Sequence, residues 1–186
     1  FIFHTLNSIQ ELIATKEEKI ARRYLTQFSK LMRQILDGSR TNTTSLASEI
    51  KMLTNYLALE KFSHEDRFNF EISCESDELE FISIPSMIIQ PFVENALIHG
   101  ALKAEKEGRV SIEFQVFEKE VKCVILDNGP GLEVNTSDHK SSAIEITKER
   151  LTMLSGKEKS IEIKNRELNG VEAIVLLPII EENETV

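Results

Sequence analysis

The sequence predicts an α+β fold: an antiparallel helical hairpin over residues 1–63, followed by an α/β sandwich with a mixed sheet over 64–186. Three observations carry this. Apolar residues recur at helical spacing through the first third of the chain. Beyond residue 63 several short segments alternate apolar and polar residues instead, as half-buried strands do. Helical patterns persist between those strands, and strands joined by short turns place helices on one face of a mixed sheet.

In the hairpin, Phe3, Leu6, Ile9 and Ile13, then Ile20, Tyr24, Phe28, Leu31 and Ile35, form one apolar stripe. Asp37-Gly38 is expected to stop this helix, and the polar run Thr41-Asn42-Thr43-Thr44-Ser45 to form a loop ending in N-cap residues. A second helix carries Leu46, Ile50, Leu53 and Leu57 on one face, with Tyr56 flanking it. A lone hairpin exposes its apolar stripe to water, so a second copy is the expected cover, in a dimeric four-helix bundle.

Beyond the hairpin, Arg67 to Cys74 and Val110 to Phe117 alternate, and Val121 to Leu126 is an almost continuous apolar strand. Pro85 to Gly100 reads as a helix kinked at Pro91, with Gly100 as its C′ cap. Ile144 to Leu154 reads as a helix, and Ser160 to Lys164 and Ala173 to Leu177 as strands. Glu118-Lys119-Glu120 and Leu168-Asn169-Gly170 are the turns that join antiparallel neighbours. The acidic tail 181–184 is expected to fray.

The formal net charge of −9 excludes the basic footprint of a nucleic-acid binder. The charge is uneven: residues 1–62 hold 9 basic and 6 acidic side chains, net +3, and the remainder 13 and 25, net −12. A basic hairpin suits an acidic partner, or is an ordinary solvated helix face. Cys74 and Cys123 lack metal-ligand spacing and read as buried thiols of a reducing compartment. No apolar run reaches the roughly 18 residues of a membrane span. The chain opens on Phe rather than Met, which reads as a fragment.

Two stretches carry chemistry. In Pro91-Phe92-Val93-Glu94-Asn95-Ala96-Leu97-Ile98-His99-Gly100 a carboxylate, an amide and an imidazole interrupt an otherwise apolar helix. Asn95 and His99, spaced i, i+4, share a face, and Glu94 points about 100° away. In Val124-Ile125-Leu126-Asp127-Asn128-Gly129-Pro130-Gly131 a buried strand ends in Asp127, and Gly129 and Gly131 follow. A carboxylate there can accept a hydrogen bond from an exocyclic amine, and the glycines let backbone approach a flat ligand.

Together these stretches resemble the ATP-binding domain of the GHKL superfamily (Bergerat fold), and within it the LytS/YehU-type sensor histidine kinases. Gln90 to Gly100 resembles the N box, Asp127-Asn128-Gly129-Pro130-Gly131 the G1 box, Thr147-Lys148-Glu149-Arg150-Leu151 the end of the lid-helix motif, and Leu177-Pro178 the closing strand. Phe1-Ile2-Phe3 with Leu6-Asn7-Ser8-Ile9 resembles the phosphoacceptor helix. Leu46, Glu49, Tyr56-Leu57 and Glu60 resemble the helix after it.

The resemblance implies a kinase core that binds Mg-ATP, with Glu94 and Asn95 as catalytic residues. Asn95 would give its amide oxygen to Mg²⁺, an ion that prefers oxygen ligands and keeps waters. His99 would lie near phosphate or ribose, and Glu94 would position a metal-bound water or cap a surface. Asp127 would read the adenine amino group beside Gly129 and Gly131. Residues from Asn128 to about Ala143 would form a lid, and Lys148 and Arg150 would add positive charge. The implied partners are a second copy through the hairpin and a response-regulator receiver domain. The implied setting is the cytoplasmic side of a protein anchored in the bacterial inner membrane.

Two departures from the family pattern qualify this. The phosphoacceptor histidine immediately precedes the Phe that aligns with Phe1, so it is absent, and His4 takes the place of the family's Asn. This chain is therefore expected to bind ATP without autophosphorylating. Ser141-Ser142-Ala143-Ile144 stands where the lid usually has glycines, which leaves a degenerate dimer scaffold as one alternative. Another GHKL ATPase or serine kinase is the other. His64 and His139 are assigned surface roles.

Overall fold

The computed structural model describes residues 2–76, 78–132, 142–156 and 159–180. The expected tail, His139 and most of the expected lid lie outside these residues, as do the side chains of His4 and Ser142.

The first apolar stripe forms two helices, α1 (Ile2–Ala14) and α2 (Glu18–Arg40), rather than one. Between them Lys16 takes a left-handed φ of 62°. Its N–H bonds the Ile13 carbonyl (3.1 Å) and that of Glu17 bonds the Leu12 carbonyl (2.9 Å). This pair of bonds is a Schellman cap built without glycine. The chain reverses here, and α1 packs on α2 and on α3 (Leu46–Ser63). The Tyr24 hydroxyl sits at that junction, bonded to the Leu59 carbonyl (3.4 Å) and to the Ser63 hydroxyl.

Asp37-Gly38 does not stop α2, which runs through to Arg40. One glycine costs a helix only about 1 kcal/mol, and Gly38 lies against Met87, whose Sδ would be 3.5 Å from a Cβ there. The polar run after α2 is not all loop. Thr43–Ser45 forms β1, paired antiparallel with β3 (Ser83–Pro85). Ser45 then caps α3, accepting a hydrogen bond from the Ser48 N–H at 3.2 Å.

Among the described residues the main sheet has five strands. They are β2 (Phe68–Cys74), β4 (Gly108–Val116), β5 (Glu120–Asp127), β6 (Ile161–Asn165) and β7 (Val171–Pro178), in the order β2-β4-β5-β7-β6. The β2–β4 pair is parallel and the other pairs antiparallel. Both expected turns are present, with the Phe117 N–H bonding the Glu120 carbonyl and the Arg166 N–H that of Gly170. Every second residue of β5 is buried and its neighbours are half-buried, as in a sheet covered on one face.

The cover is α3, α4 (Gln90–Asn95) with its extension, and α5 (Ser142–Ser155). Leu53, Leu57, Val93 and Leu97 meet Phe68, Phe114, Ile125 and Val175 in one core, which also takes in Ile9, Tyr24 and Leu31 of the hairpin. The core is therefore continuous across residue 63.

Pro85 belongs to β3 rather than to a helix, and α4 starts only at Gln90. Pro91 thus lies in the first helical turn, where its missing N–H has no intrahelical partner to lose and no kink results. Cys74 and Cys123 are both free thiols. Burial pushes the Cys123 thiol pKa up. No described helix is long and apolar enough to cross a membrane.

Candidate functional site

The site forms where the end of β5 meets the end of the helical run that starts with α4. Asp127 is buried, and its Oδ1 accepts a hydrogen bond from the Gly129 N–H at 2.8 Å. Burial raises the Asp127 pKa, while bonds from the Gly129 and Val171 N–H groups and the Arg166 charge oppose the rise. The turn itself is pinned on both sides. Asn128 accepts from the Arg109 N–H (2.7 Å) and donates to the Glu107 carbonyl (2.9 Å). Asn165 accepts from the Leu132 N–H (2.6 Å) beside Gly131, which has φ 89°. Arg166 donates to the Asp127 carbonyl at 2.8 Å.

The helical run supplies the other wall. After α4 the backbone widens into a π-helical turn (Ala96–Gly100) and closes with a 3₁₀ turn (Ala101–Lys103). The Ala101 N–H reaches the Ala96 carbonyl, five residues back. Such insertions are frequent at functional sites. Gly100 is not the expected C′ cap, because its φ is −99° and the helix continues past it. A glycine is needed for another reason: a Cβ on Gly100 would meet the Asp127 carboxyl, and one on Gly129 would lie 2.4 Å from the Gly100 Cα.

The two motifs therefore touch at Gly100, Asp127 and Gly129. Half-buried Asn95 and exposed His99 lie on the run that leads into this contact, Asn95 just before the π turn and His99 within it. Glu94 faces elsewhere. Its Oε1 accepts from Gln90 Nε2 at 2.8 Å, and its charge adds to the rise that burial imposes on the pKa of Glu60 and Tyr56 on α3.

Lys148 is exposed on α5. Arg150 is engaged away from the Asp127 turn, donating to the carbonyls of Ser86 (2.7 Å) and Asn42 (3.4 Å). His64 is not a plain surface residue: its Nε2 lies 3.2 Å from Oε2 of buried Glu60. Burial pushes Glu60 up to about 7, and Glu49 likewise.

Sequence reasoning missed Arg166 and Gly170, which lie under Asp127. At φ 89° Gly170 suits the turn it was assigned to, but a Cβ on it would also lie 2.0 Å from the Asp127 carbonyl oxygen. Nothing local in the sequence signals that contact.

The chain is similar to known sensor kinases. Residues 1–68 match the family model described as histidine kinase. Sensor protein LytS of Staphylococcus haemolyticus is 30% identical over 179 residues, covering 90% of this chain and 30% of that protein. Sensor protein LytS of Bacillus anthracis is 32% identical over 191 residues, covering 96% and 32%. The chain thus spans about a third of the length of the curated relatives it matches. Among solved structures, the catalytic domain of histidine kinase ThkA superposes with a TM-score of 0.52 at 19% identity, covering 75% of this chain and 97% of that one. The histidine kinase domain of Erythrobacter litoralis EL346 gives 0.53 at 13%, covering 84% and 75%. The structural matches show the fold alone: the α/β sandwich is similar to that of histidine kinase catalytic domains.

Proposed function

We propose that this chain, similar to LytS-type sensor proteins, is the kinase core of such a sensor, binding Mg-ATP for phosphoryl transfer to a histidine just upstream of Phe1. The observation that carries the reading is the contact of Gly100 with Asp127 and Gly129, which joins the helix bearing Asn95 to the end of β5. A buried carboxyl whose Oδ1 is held by one N–H keeps acceptor capacity for an exocyclic amine. Asp127 is accordingly the adenine reader, beside Gly129 and Gly131.

The donor set also fits a metal shared with phosphate. Among the described residues no three His, Cys, Asp or Glu side chains cluster to hold an ion by themselves. Magnesium would then draw most of its ligands from phosphate oxygens and water, with the Asn95 amide as the protein's contribution. Bound there, the ion would neutralise charge on the transferring phosphoryl group. His99, exposed one turn on, faces phosphate or ribose, and Lys148 adds positive charge from α5. Glu94, bonded to Gln90 and turned toward α3, would position a metal-bound water or cap a surface.

Exposed apolar side chains on α1 and α2, among them Leu6, Ile13, Ile20, Leu25 and Leu36, support pairing with a second copy through the hairpin. ThkA has been solved in complex with response regulator TrrA, and a receiver domain is the proposed partner here. The chain works in the cytoplasm, as part of a longer membrane-anchored protein. The glycine-poor stretch Ser141-Ser142-Ala143 favours the second reading, a scaffold that no longer holds nucleotide.

Calorimetric titration with ATP and ADP, with and without Mg²⁺, separates the two. The kinase reading expects Mg-dependent binding that Asp127→Asn loses, and no radiolabel retained from γ-labelled ATP. Absence of binding at millimolar nucleotide overturns it in favour of the scaffold.

A further inference from the structure

The turn from Ser86 to Ile89 joins β3 to α4, and its backbone is strained. Met87 has φ 61°, a region that costs an L-residue about 1–2 kcal/mol. Two ionisable side chains from distant segments close on this turn. Glu49, in the first turn of α3, is 3% exposed. The N–H groups of Met87 and Ile89 are directed at its carboxyl, and the Arg150 charge acts on it from α5. Arg150 in turn holds the Ser86 carbonyl with one guanidinium nitrogen and the Asn42 carbonyl with the other. Ser86 is buried and tied to the same segment, its N–H donating to the Asn42 carbonyl (3.1 Å) and its hydroxyl to that of Thr41 (2.5 Å).

This arrangement is not the one stability alone would select. Among the described residues Glu49 Oε1 has no hydrogen-bond partner, and a buried acceptor without one costs about 1–3 kcal/mol. What the carboxyl does provide is an acceptor facing the N–H groups of Met87 and Ile89, at the point where the chain enters α4. From there Gln90 leads in one short helix to Asn95. Asp127 is held separately, by Gly129, Val171 and Arg166.

We propose that Glu49 and Arg150 are positioning residues of the nucleotide site, which clasp the 86–89 turn between α3 and α5 and thereby fix Asn95. The proposal rests on the Mg-ATP reading above and deepens it, because it assigns the metal end of the site a support that the adenine end does not share. Arginine suits the role and lysine does not: a planar fork can hold two carbonyls at once, whereas an ammonium is a single point charge.

The test uses Arg150→Lys and Glu49→Gln in this chain, titrated with ADP and ATP with and without Mg²⁺, with thermal melts to confirm folding. Each variant is expected to lose the Mg-dependent gain in affinity by roughly tenfold while Mg-free affinity stays within about twofold, as misplacement of one ligand predicts. The NMR signal of the Asn95 side-chain amide should move in both. Asp127→Asn, by contrast, should weaken binding with and without the metal. An intact Mg-dependent gain with an unmoved Asn95 signal overturns the clasp, and so does an equal loss with and without Mg²⁺. If the unmodified chain binds no nucleotide, the functional reading has failed, and the Asn95 signal alone decides whether the clasp positions that side chain.

Discussion

Gly100 leaves the space that the Asp127 carboxyl occupies: a Cβ at position 100 would lie 2.4 Å from Asp127 Cγ and 2.5 Å from Oδ1. The last residue of one motif is thereby fitted to the first of the other. Gly129 completes the contact by passing over the Gly100 backbone. Three residues, two of them without side chains, bring the helix that carries Asn95 against the end of β5.

Gly100→Ala should therefore displace Asp127 rather than merely perturb a helix end. The φ of −99° at Gly100 lies outside the left-handed region, so the cost is overpacking, about 1–3 kcal/mol. Urea unfolding should show that loss, and nucleotide affinity should fall with and without Mg²⁺. An alanine variant with unchanged affinity would mean that Asp127 does not read the nucleotide.

Two glycines at positive φ separate conformation from contact. At Gly156, φ 65°, a Cβ would have nothing within 4 Å, so Gly156→Ala should cost only the backbone preference, about 1 kcal/mol. At Gly170, φ 89°, the Cβ would collide with main-chain atoms of Asp127 and Asn128, and Gly170→Ala should cost at least about 2 kcal/mol more. Equal losses in denaturant melts would show that β7 yields at its start and that Gly170 is not a support for Asp127.

Where local pattern decides structure, the sequence was legible. Alternation marked β2 and β4 because one face of each is buried, a nearly continuous apolar run marked β5, and Ser45 was visible as a cap because its hydroxyl acts within one turn. Tertiary contact decided the rest. Gly38 stays helical against Met87, Pro85 pairs with Thr43 across a short ladder, and Gly100 answers to Asp127 rather than to its own helix. Arg150 matched a motif that suggested phosphate, yet its bonds go to Ser86 and Asn42, residues remote in sequence. Burial of Glu49 and Glu60 was equally hidden, since glutamates on a helix ordinarily read as solvated.

The reversal at Lys16 predicts a stabilising substitution. Lys16→Gly relieves a left-handed backbone in a Schellman cap, and glycine at C′ should gain about 1 kcal/mol against the entropy it adds to the unfolded chain. Hydrogen exchange of the α1 amides should slow in step. Faster exchange would indicate that α1 does not fold back on α2 and α3 in solution.

The buried carboxyls set the pH dependence of stability. Glu60 is raised to about 7 by burial and by the Glu94 charge, and it faces His64, Tyr24 and Tyr56 as well. Glu49 is raised to a similar value, and Asp127 is raised too. A carboxyl whose pKa is higher folded than unfolded holds its proton more tightly in the native state. Its contribution to stability is complete below the unfolded value of 4.5 and is lost as pH rises through about 7. The chain should therefore melt at progressively lower temperature from pH 5 to pH 8. Each glutamate contributes a few kcal/mol at most, since one pKa unit is worth about 1.4 kcal/mol. Glu60→Gln keeps a neutral side chain of the same shape, so it should flatten that slope and leave stability at pH 5 nearly unchanged. A variant whose melting temperature falls with pH as steeply as the parent's would show that Glu60 ionises without penalty, paired with a charged His64.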